Sequence, residues 1–188
     1  MDGSTKWLRS IVAAIKSYQH SGSRTLDDLA AQLSSLAWSD STPTAQMLGG
    51  AADRFLRRPI TGANNLGCSA LLMYWPAGHA TLPHDHGGFW GIEVVLDGTL
   101  HVEEFVLGGS ADAPTLAKTR CVYLGVGDVA VFDSARYVHR CRNLSNTGPT
   151  LTLNVYGGPL ERYVAFEGEA SGILRAQPTS ASSDVPVD

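Results

Sequence analysis

From about residue 54 onward the chain reads as a series of short strands with no helix between them. Segments rich in β-branched and aromatic residues alternate with glycine, proline, asparagine and aspartate, which are typical of turns. The segments are 69–75, 91–98, 99–107, 121–125, 129–133, 138–143 and 150–156. Strands at this density predict an antiparallel barrel or sandwich. Asp97-Gly98 lies between two of them and predicts a tight hairpin turn.

The first fifty residues have a helical periodicity instead. The apolar residues that recur at helical spacing are Trp7, Leu8, Ile11, Val12, Ile15 and Tyr18. Thr25, with Asp28 three positions on, predicts the start of a second helix, and Thr42-Pro43 predicts a third that ends at Gly49-Gly50. We therefore expect a single, mainly β domain. It comprises a helical segment at 1–52 packed on a barrel at 53–168, and a Ser/Pro-rich tail at 169–188 that is predicted to be disordered.

Composition excludes several classes of function. The 188 residues carry a net charge of −4 with only 14 lysines and arginines, so a nucleic-acid partner is not expected. No apolar run approaches the ~20 residues of a membrane span, and the N-terminus does not resemble a secretory signal. The three cysteines are widely spaced, which indicates neither a disulfide framework nor a CxxC metal site. These features predict a cytoplasmic monomer or small homo-oligomer with no membrane partner.

The histidines carry the strongest chemical signal. His84 and His86 are two positions apart, so in an extended strand both imidazoles lie on one face and can converge on a single metal ion. Imidazole ligands favour Zn, Cu, Fe or Ni. His139 lies in a second glycine-bounded segment and supplies a third candidate ligand.

The two segments around these histidines resemble the paired motifs of the cupin superfamily. The matching positions are Gly78, His84, His86 and Gly98 in the first motif, and Gly127, His139 and Asn143 in the second. The resemblance implies a double-stranded β-helix, or jelly-roll, barrel preceded by N-terminal helices. Gly91 stands where the first motif usually has a glutamate ligand. Glu93, two residues further on, remains a candidate ligand because strand alternation turns it to the same side.

A site of three histidines without the glutamate is similar to that of the cysteine dioxygenase family within the cupins. The segment 55–62 resembles the family's segment with the substrate-carboxylate arginine and places Arg57 at that position, with Arg58 as a competitor. The segment 154–160 resembles the family's tyrosine-bearing segment and places Tyr156 at the active-site tyrosine. The resemblance implies Fe(II) held by His84, His86 and His139, with a small thiol acid and O2 as substrates.

Two departures from the family pattern bear on the chemistry. Gly91 stands where many animal members have a cysteine cross-linked to the tyrosine, so no thioether is expected. Thr152, Asn154 and Tyr156 lie on one face of their strand, and Asn154 replaces the histidine of the family's Ser-His-Tyr relay. An amide can hydrogen-bond Tyr156 but cannot transfer a proton near neutral pH.

The sequence thus favours a non-heme Fe(II) dioxygenase that converts L-cysteine to its sulfinic acid. Tyr156 and Arg57 are the expected catalytic residues. The expected substrate-binding residues are Arg57, Tyr156, Asn154 and Thr152. The alternatives are a dioxygenase for 3-mercaptopropionate or another mercapto acid, a different metal-dependent cupin such as a ring-cleaving dioxygenase or isomerase, and a non-catalytic binding cupin.

Overall fold

The structure, a computed structural model, describes residues 3–49, 53–168, 174–184 and 186–187. Three helices come first: α1 (Gly3–His20), α2 (Leu26–Leu36) and α3 (Ala45–Gly49). Thr25 caps α2, because its Oγ1 accepts from the Asp28 amide while Asp28 Oδ2 accepts from the Thr25 amide. The third helix begins at Ala45 rather than at Thr42-Pro43, and Gly50 lies outside the described residues. None of the described helices has the length and apolar character needed to cross a membrane.

Ten strands follow the helices in two main sheets and a smaller pair. They are β1 (Leu56–Pro59), β2 (Ser69–Trp75), β3 (Gly91–Asp97), β4 (Leu100–Gly109), β5 (Pro114–Leu124), β6 (Val129–Phe132), β7 (Tyr137–Arg142), β8 (Thr150–Tyr156), β9 (Arg162–Gly168) and β10 (Leu174–Ser180). The larger sheet has the order β1-β2-β8-β3-β6, the second has β5-β4-β7, and β9 pairs with β10. All of these pairs are antiparallel. The predicted mainly β fold with N-terminal helices is confirmed.

The hairpin predicted at Asp97-Gly98 is wrong. β3 pairs with β6 and β8, whereas β4 pairs with β5 and β7, so the turn carries the chain from one sheet to the other. Gly98 has a φ of +78°, a conformation that glycine adopts without steric cost. The Asp97 side chain instead accepts a hydrogen bond from the Ala45 amide at the start of α3 (2.8 Å). The dipeptide specifies a sharp turn, but not which strands pair beside it.

Two apolar clusters lie on opposite faces of the larger sheet. The first joins α1 and α2 to this sheet and includes Trp7, Ile11 and Leu153. The second fills the space between the two main sheets and includes Trp75 and Val102. Successive residues of β8 alternate between them, so Leu151, Leu153 and Val155 face the helices. The alternate residues of β8 therefore face the barrel interior.

The C-terminal residues depart from the predicted disorder. Residues 174–180 form β10 and pair with all seven residues of β9. Residues 184 and 187 then bond to the backbone of β1 and the turn that follows it. The Ser/Pro-rich composition suggested a solvated tail, but backbone pairing with β9 and β1 does not require an apolar sequence. The expectation is thus wrong for 174–180, and residues 169–173, 185 and 188 lie outside the described residues.

Candidate metal centre

The three histidines of the two motifs meet at the mouth of the barrel. His84 lies in the connection before β3 and pairs through its backbone with His139 on β7: His84 N donates to His139 O (2.9 Å), and His139 N donates to His84 O (3.1 Å). His86 follows two residues later. Ring nitrogens of all three lie within 4.8 Å of one another. The structure thus brings together the three residues predicted as metal ligands.

The three imidazole rings are in the neutral form that can coordinate a cation. His84 Nδ1 lies 2.9 Å from the Leu82 carbonyl oxygen; a carbonyl only accepts, so Nδ1 carries the proton and Nε2 is free. The Nε2 atoms of His86 and His139 lie 3.1 Å apart. Burial, reinforced by the neighbouring histidines, holds the pKa values of both well below the ordinary range. Neutral rings with nitrogens facing this closely fit a shared metal ion.

A cavity of about 300 Å³ opens beside the three histidines. Its wall includes Arg57 from β1, Glu93 from β3, and Asn154 and Tyr156 from β8. Thr152, the other predicted substrate-binding residue, is fully buried behind this wall and does not line the cavity. The cavity thus combines a metal-binding group, a guanidinium and a phenol in a space suited to a small molecule.

Adjacent arginines on β1 have different environments. Arg57 lines the cavity, and its charge contributes to the lowered pKa values of His84 and His86. The Nε atoms of both arginines are buried and have no hydrogen-bond partner in the described structure, so this atom does not distinguish them. Arg58 does not line the cavity, as expected for its neighbour in an extended strand. Of the two competing arginines, Arg57 is the one beside the metal-binding group.

The polar residues of β8 form a hydrogen-bonded chain in the barrel interior. Trp75 Nε1 donates to Thr152 Oγ1 (3.0 Å), whose hydroxyl donates to Asn154 Oδ1 (2.6 Å). Asn154 Nδ2 in turn donates to Glu93 Oε1 (2.9 Å). The ring of Tyr156 stacks on His86 at a centroid distance of 5.6 Å, and burial raises the pKa of its hydroxyl. The phenol therefore stays protonated at neutral pH.

Glu93 points into the barrel, as strand alternation predicts, but it does not join the three-histidine group. Its carboxylate oxygen groups instead with His139 and Cys141. The Cys141 thiol lies 3.5 Å from Glu93 Oε2 and donates to it. Burial raises the pKa of Glu93, and the hydrogen bonds from Asn154 and Cys141 oppose that shift. The Glu93 carboxylate thus lines the cavity beside His139 and Cys141, outside the three-histidine group.

Phe132 on β6 is a site residue that the sequence did not reveal. Its ring stacks on His86 at a centroid distance of 4.2 Å and lies parallel to Tyr137 at 4.6 Å. His86 Nδ1 is buried without a hydrogen-bond partner, so these ring contacts are what hold the imidazole from that side. The Phe132 ring also fills the space over Gly91, where a Cβ would overlap it. The contact arises because Gly91 and Phe132 pair across β3 and β6, and this pairing cannot be seen in the sequence.

Comparison with solved structures finds cupin proteins at low identity. A cupin superfamily protein from Desulfitobacterium hafniense is 12% identical, with a TM-score of 0.43, over 59% of this chain and 84% of that one. A cupin domain of an XRE family transcriptional regulator from Enterobacter cloacae is 16% identical, with a TM-score of 0.43, over 56% and 97%. A double-stranded β-helix protein from Klebsiella pneumoniae is 17% identical, with a TM-score of 0.42, over 58% and 83%.

Family models give a more specific result. None of the curated proteins compared with the chain matches it. The model of cysteine dioxygenase type I matches residues 51–169, which include the three histidines, Arg57 and Tyr156. The match covers more than half of the chain and includes both metal motifs. The chain therefore belongs to the cysteine dioxygenase type I family.

Proposed function

We propose that this chain is an Fe(II)-dependent thiol dioxygenase that oxidises a small thiol carboxylic acid, with L-cysteine favoured, to the sulfinic acid. The observation that carries the proposal is one cavity lined by Arg57, His84 and His139, with His86 grouped beside these two histidines. Both atoms of O2 end on sulfur: the thiol becomes RSO2H, sulfur loses four electrons and O2 gains them. Iron held by His84, His86 and His139 would supply the redox chemistry that couples thiol and O2.

The ligand set explains why a thiol suits this site. Three neutral imidazoles bring no negative charge to a divalent ion, and the Glu93 carboxylate groups with His139 and Cys141 rather than with the other two histidines. The described protein ligands therefore leave the charge of the ion uncompensated, which favours an anionic substrate group such as a thiolate. A carboxylate in place of one imidazole would remove that preference.

Arg57 and Tyr156 would orient the substrate. The Arg57 guanidinium lines the cavity, and a guanidinium matches the planar geometry of a carboxylate. The Tyr156 hydroxyl, protonated because burial raises its pKa, can donate a hydrogen bond to a substrate oxygen. Asn154 lines the cavity as a neutral donor, and Thr152 fixes it through the bond to Oδ1. In this chain Tyr156 therefore acts without a histidine relay.

The proposal is tested by oxygen uptake with iron-loaded protein and a panel of cysteine, 3-mercaptopropionate, mercaptosuccinate and cysteamine. We expect uptake with cysteine, matched by one sulfinate per O2, and loss of both iron and uptake in His86→Ala. His101→Ala, on β4 and away from the cavity lining, is the matched control and should keep both. Arg57→Ala should raise KM for cysteine about tenfold or more, whereas Arg58→Ala should not.

Other outcomes separate the alternatives. Uptake with 3-mercaptopropionate or mercaptosuccinate alone would keep the reaction and change the substrate. Iron retention without uptake for any thiol would refute the thiol dioxygenase and favour a different metal-dependent cupin enzyme or a non-catalytic binding cupin. An active His86→Ala variant with full iron would refute the ligand assignment.

We also propose that the protein works in the cytoplasm as a monomer or small homo-oligomer. The three cysteines at 68, 121 and 141 are unpaired, which suits a reducing compartment. Size-exclusion chromatography with light scattering tests the assembly, and fractionation of cells tests the location.

A further inference from the structure

The cavity is completed by residues beyond the stretch that matches the family. Gln177 and Thr179 of β10 line it together with Tyr163 and Ala165 of β9. β9 is in turn bonded to the loop that carries the ligands: the Asp85 amide donates to the Val164 carbonyl oxygen (3.0 Å), and the Phe166 amide donates to that of Pro83 (2.8 Å). The family match ends at residue 169. Residues 174–180 thus form part of the cavity wall.

Past β10, the chain attaches to the strand that carries Arg57. β1 is an edge strand of the larger sheet, with β2 on one side. On its other side the Asp184 amide donates to the Arg57 carbonyl oxygen (2.7 Å), and the Arg57 amide donates to Asp184 Oδ2 (2.8 Å). Asp184 Oδ1 also pairs with the Arg54 guanidinium (2.7 Å). One aspartate therefore bonds both backbone groups of Arg57.

This contact matters because Arg57 must be held accurately. A guanidinium that binds a carboxylate through two parallel hydrogen bonds needs its position fixed to a fraction of an ångström. Arg57 Nε has no hydrogen-bond partner in the described structure, so this atom gives the side chain no anchor. The backbone of β1 therefore bears much of the positioning, and Asp184 fixes that backbone at residue 57 itself.

We propose that Asp184 is a positioning residue for Arg57, and that the C-terminal segment 174–184 is a functional part of the substrate site rather than an appended tail. The inference rests on the proposed role of Arg57 as the clamp for the substrate carboxylate. It makes no claim about the metal, whose ligands Asp184 does not contact. If Asp184 has this role, removing its side chain lowers the affinity for the substrate only when Arg57 is present.

The test is a double-mutant cycle in the full-length, iron-loaded protein. Asp184→Ala should raise KM for the thiol acid about tenfold, with kcat nearly unchanged and iron content intact. In the Arg57→Ala background, Asp184→Ala should have no further effect on KM. Asp112→Ala removes an exposed acid elsewhere and should behave as wild type. Hydrogen exchange at the Arg57 amide should accelerate in Asp184→Ala, a readout that needs no turnover.

Each remaining outcome has one meaning. An unchanged KM in Asp184→Ala, alongside a raised KM in Arg57→Ala, overturns the positioning role and leaves the proposed function standing. If Asp184→Ala raises KM by the same factor with and without Arg57, the positioning role is also overturned, because the effect would not depend on Arg57. An unchanged KM in Arg57→Ala refutes the clamp itself. If Asp184→Ala does not fold, Asp184→Asn keeps the size, weakens the acceptor and decides by the same criteria.

Discussion

The contact between Gly91 and Phe132 gives a sharp test of how the metal centre is held. A Cβ built on Gly91 would lie 3.0 Å from Phe132 Cε1 and closer still to two further ring atoms. The φ of Gly91 is not in the left-handed region, so the backbone accepts alanine and the cost of Gly91→Ala is steric. The ring is packed between His86 and Tyr137 and cannot turn aside freely. The substitution must therefore push the Phe132 ring against His86 or strain β3.

Overpacking of this kind costs about 1–3 kcal/mol of unfolding free energy. For a chain of this length, a loss of about 2 kcal/mol lowers Tm by about 6 °C. Because Phe132 stacks on His86, part of the displacement reaches the imidazole, and iron affinity should fall by about tenfold or more. Gly168→Ala is the matched control, since a Cβ there meets nothing within 4 Å.

The assay combines urea unfolding of the metal-free protein with iron titration. Phe132→Leu should relieve the overlap, so Gly91→Ala with Phe132→Leu should cost less than the sum of the two single changes. If Gly91→Ala matches Gly168→Ala in stability and iron affinity, the ring does not hold His86 and the reasoning is refuted. Strict additivity of the two changes would refute the contact in the same way.

Three further predictions concern stability. Thr25→Ala removes the α2 cap and should cost about 1 kcal/mol in urea unfolding. Asn143→Ala removes two amide hydrogens shared among three backbone carbonyl oxygens, and an Oδ1 that accepts from the Ser145 amide, so it should cost about 3 kcal/mol by the same assay. Hydrogen bonds from Lys118 and Arg140 hold the pKa of Glu103 below its ordinary 4.5. Its stabilisation is therefore present above about pH 4.5 and lost as the pH falls through the lowered pKa. Glu103→Gln should flatten this acid limb in unfolding measured against pH.

Local patterns in the sequence predicted much of the fold. The bounds of β2 and β8 were predicted correctly, because each is a short run between turn residues that is buried throughout, apart from the half-buried Ser69 in β2. The pairing of His84 with His86 followed from their spacing, and His139 was added through the resemblance to the second cupin motif. The hairpin at Asp97-Gly98 failed because a turn sequence describes only its own backbone. The partners of β3 are β6 and β8, which come much later in the chain, so no window of four residues encodes them.

The parts that sequence reasoning missed all depend on contacts between distant residues. The stacking of Phe132 on His86 requires knowing that β6 lies beside β3. The position of the Glu93 carboxylate depends on hydrogen bonds from Asn154 and Cys141, which lie on other strands. The tail was predicted from composition, and composition cannot show that the Arg57 backbone offers an open edge to Asp184. These relations become visible only once the strand order is known.

The position of β8 has a consequence for how the chain folds. This strand comes five strands after β3 along the chain, yet it sits between β2 and β3 in the larger sheet. β2 and β3 cannot be joined until residues 150–156 are available, so the sheet must close a long loop before it gains its central pairings. During synthesis on the ribosome, β2 and β3 therefore emerge before the strand that pairs with both of them. Closure of the larger sheet should therefore be slow, and it should require that β8 has left the exit tunnel.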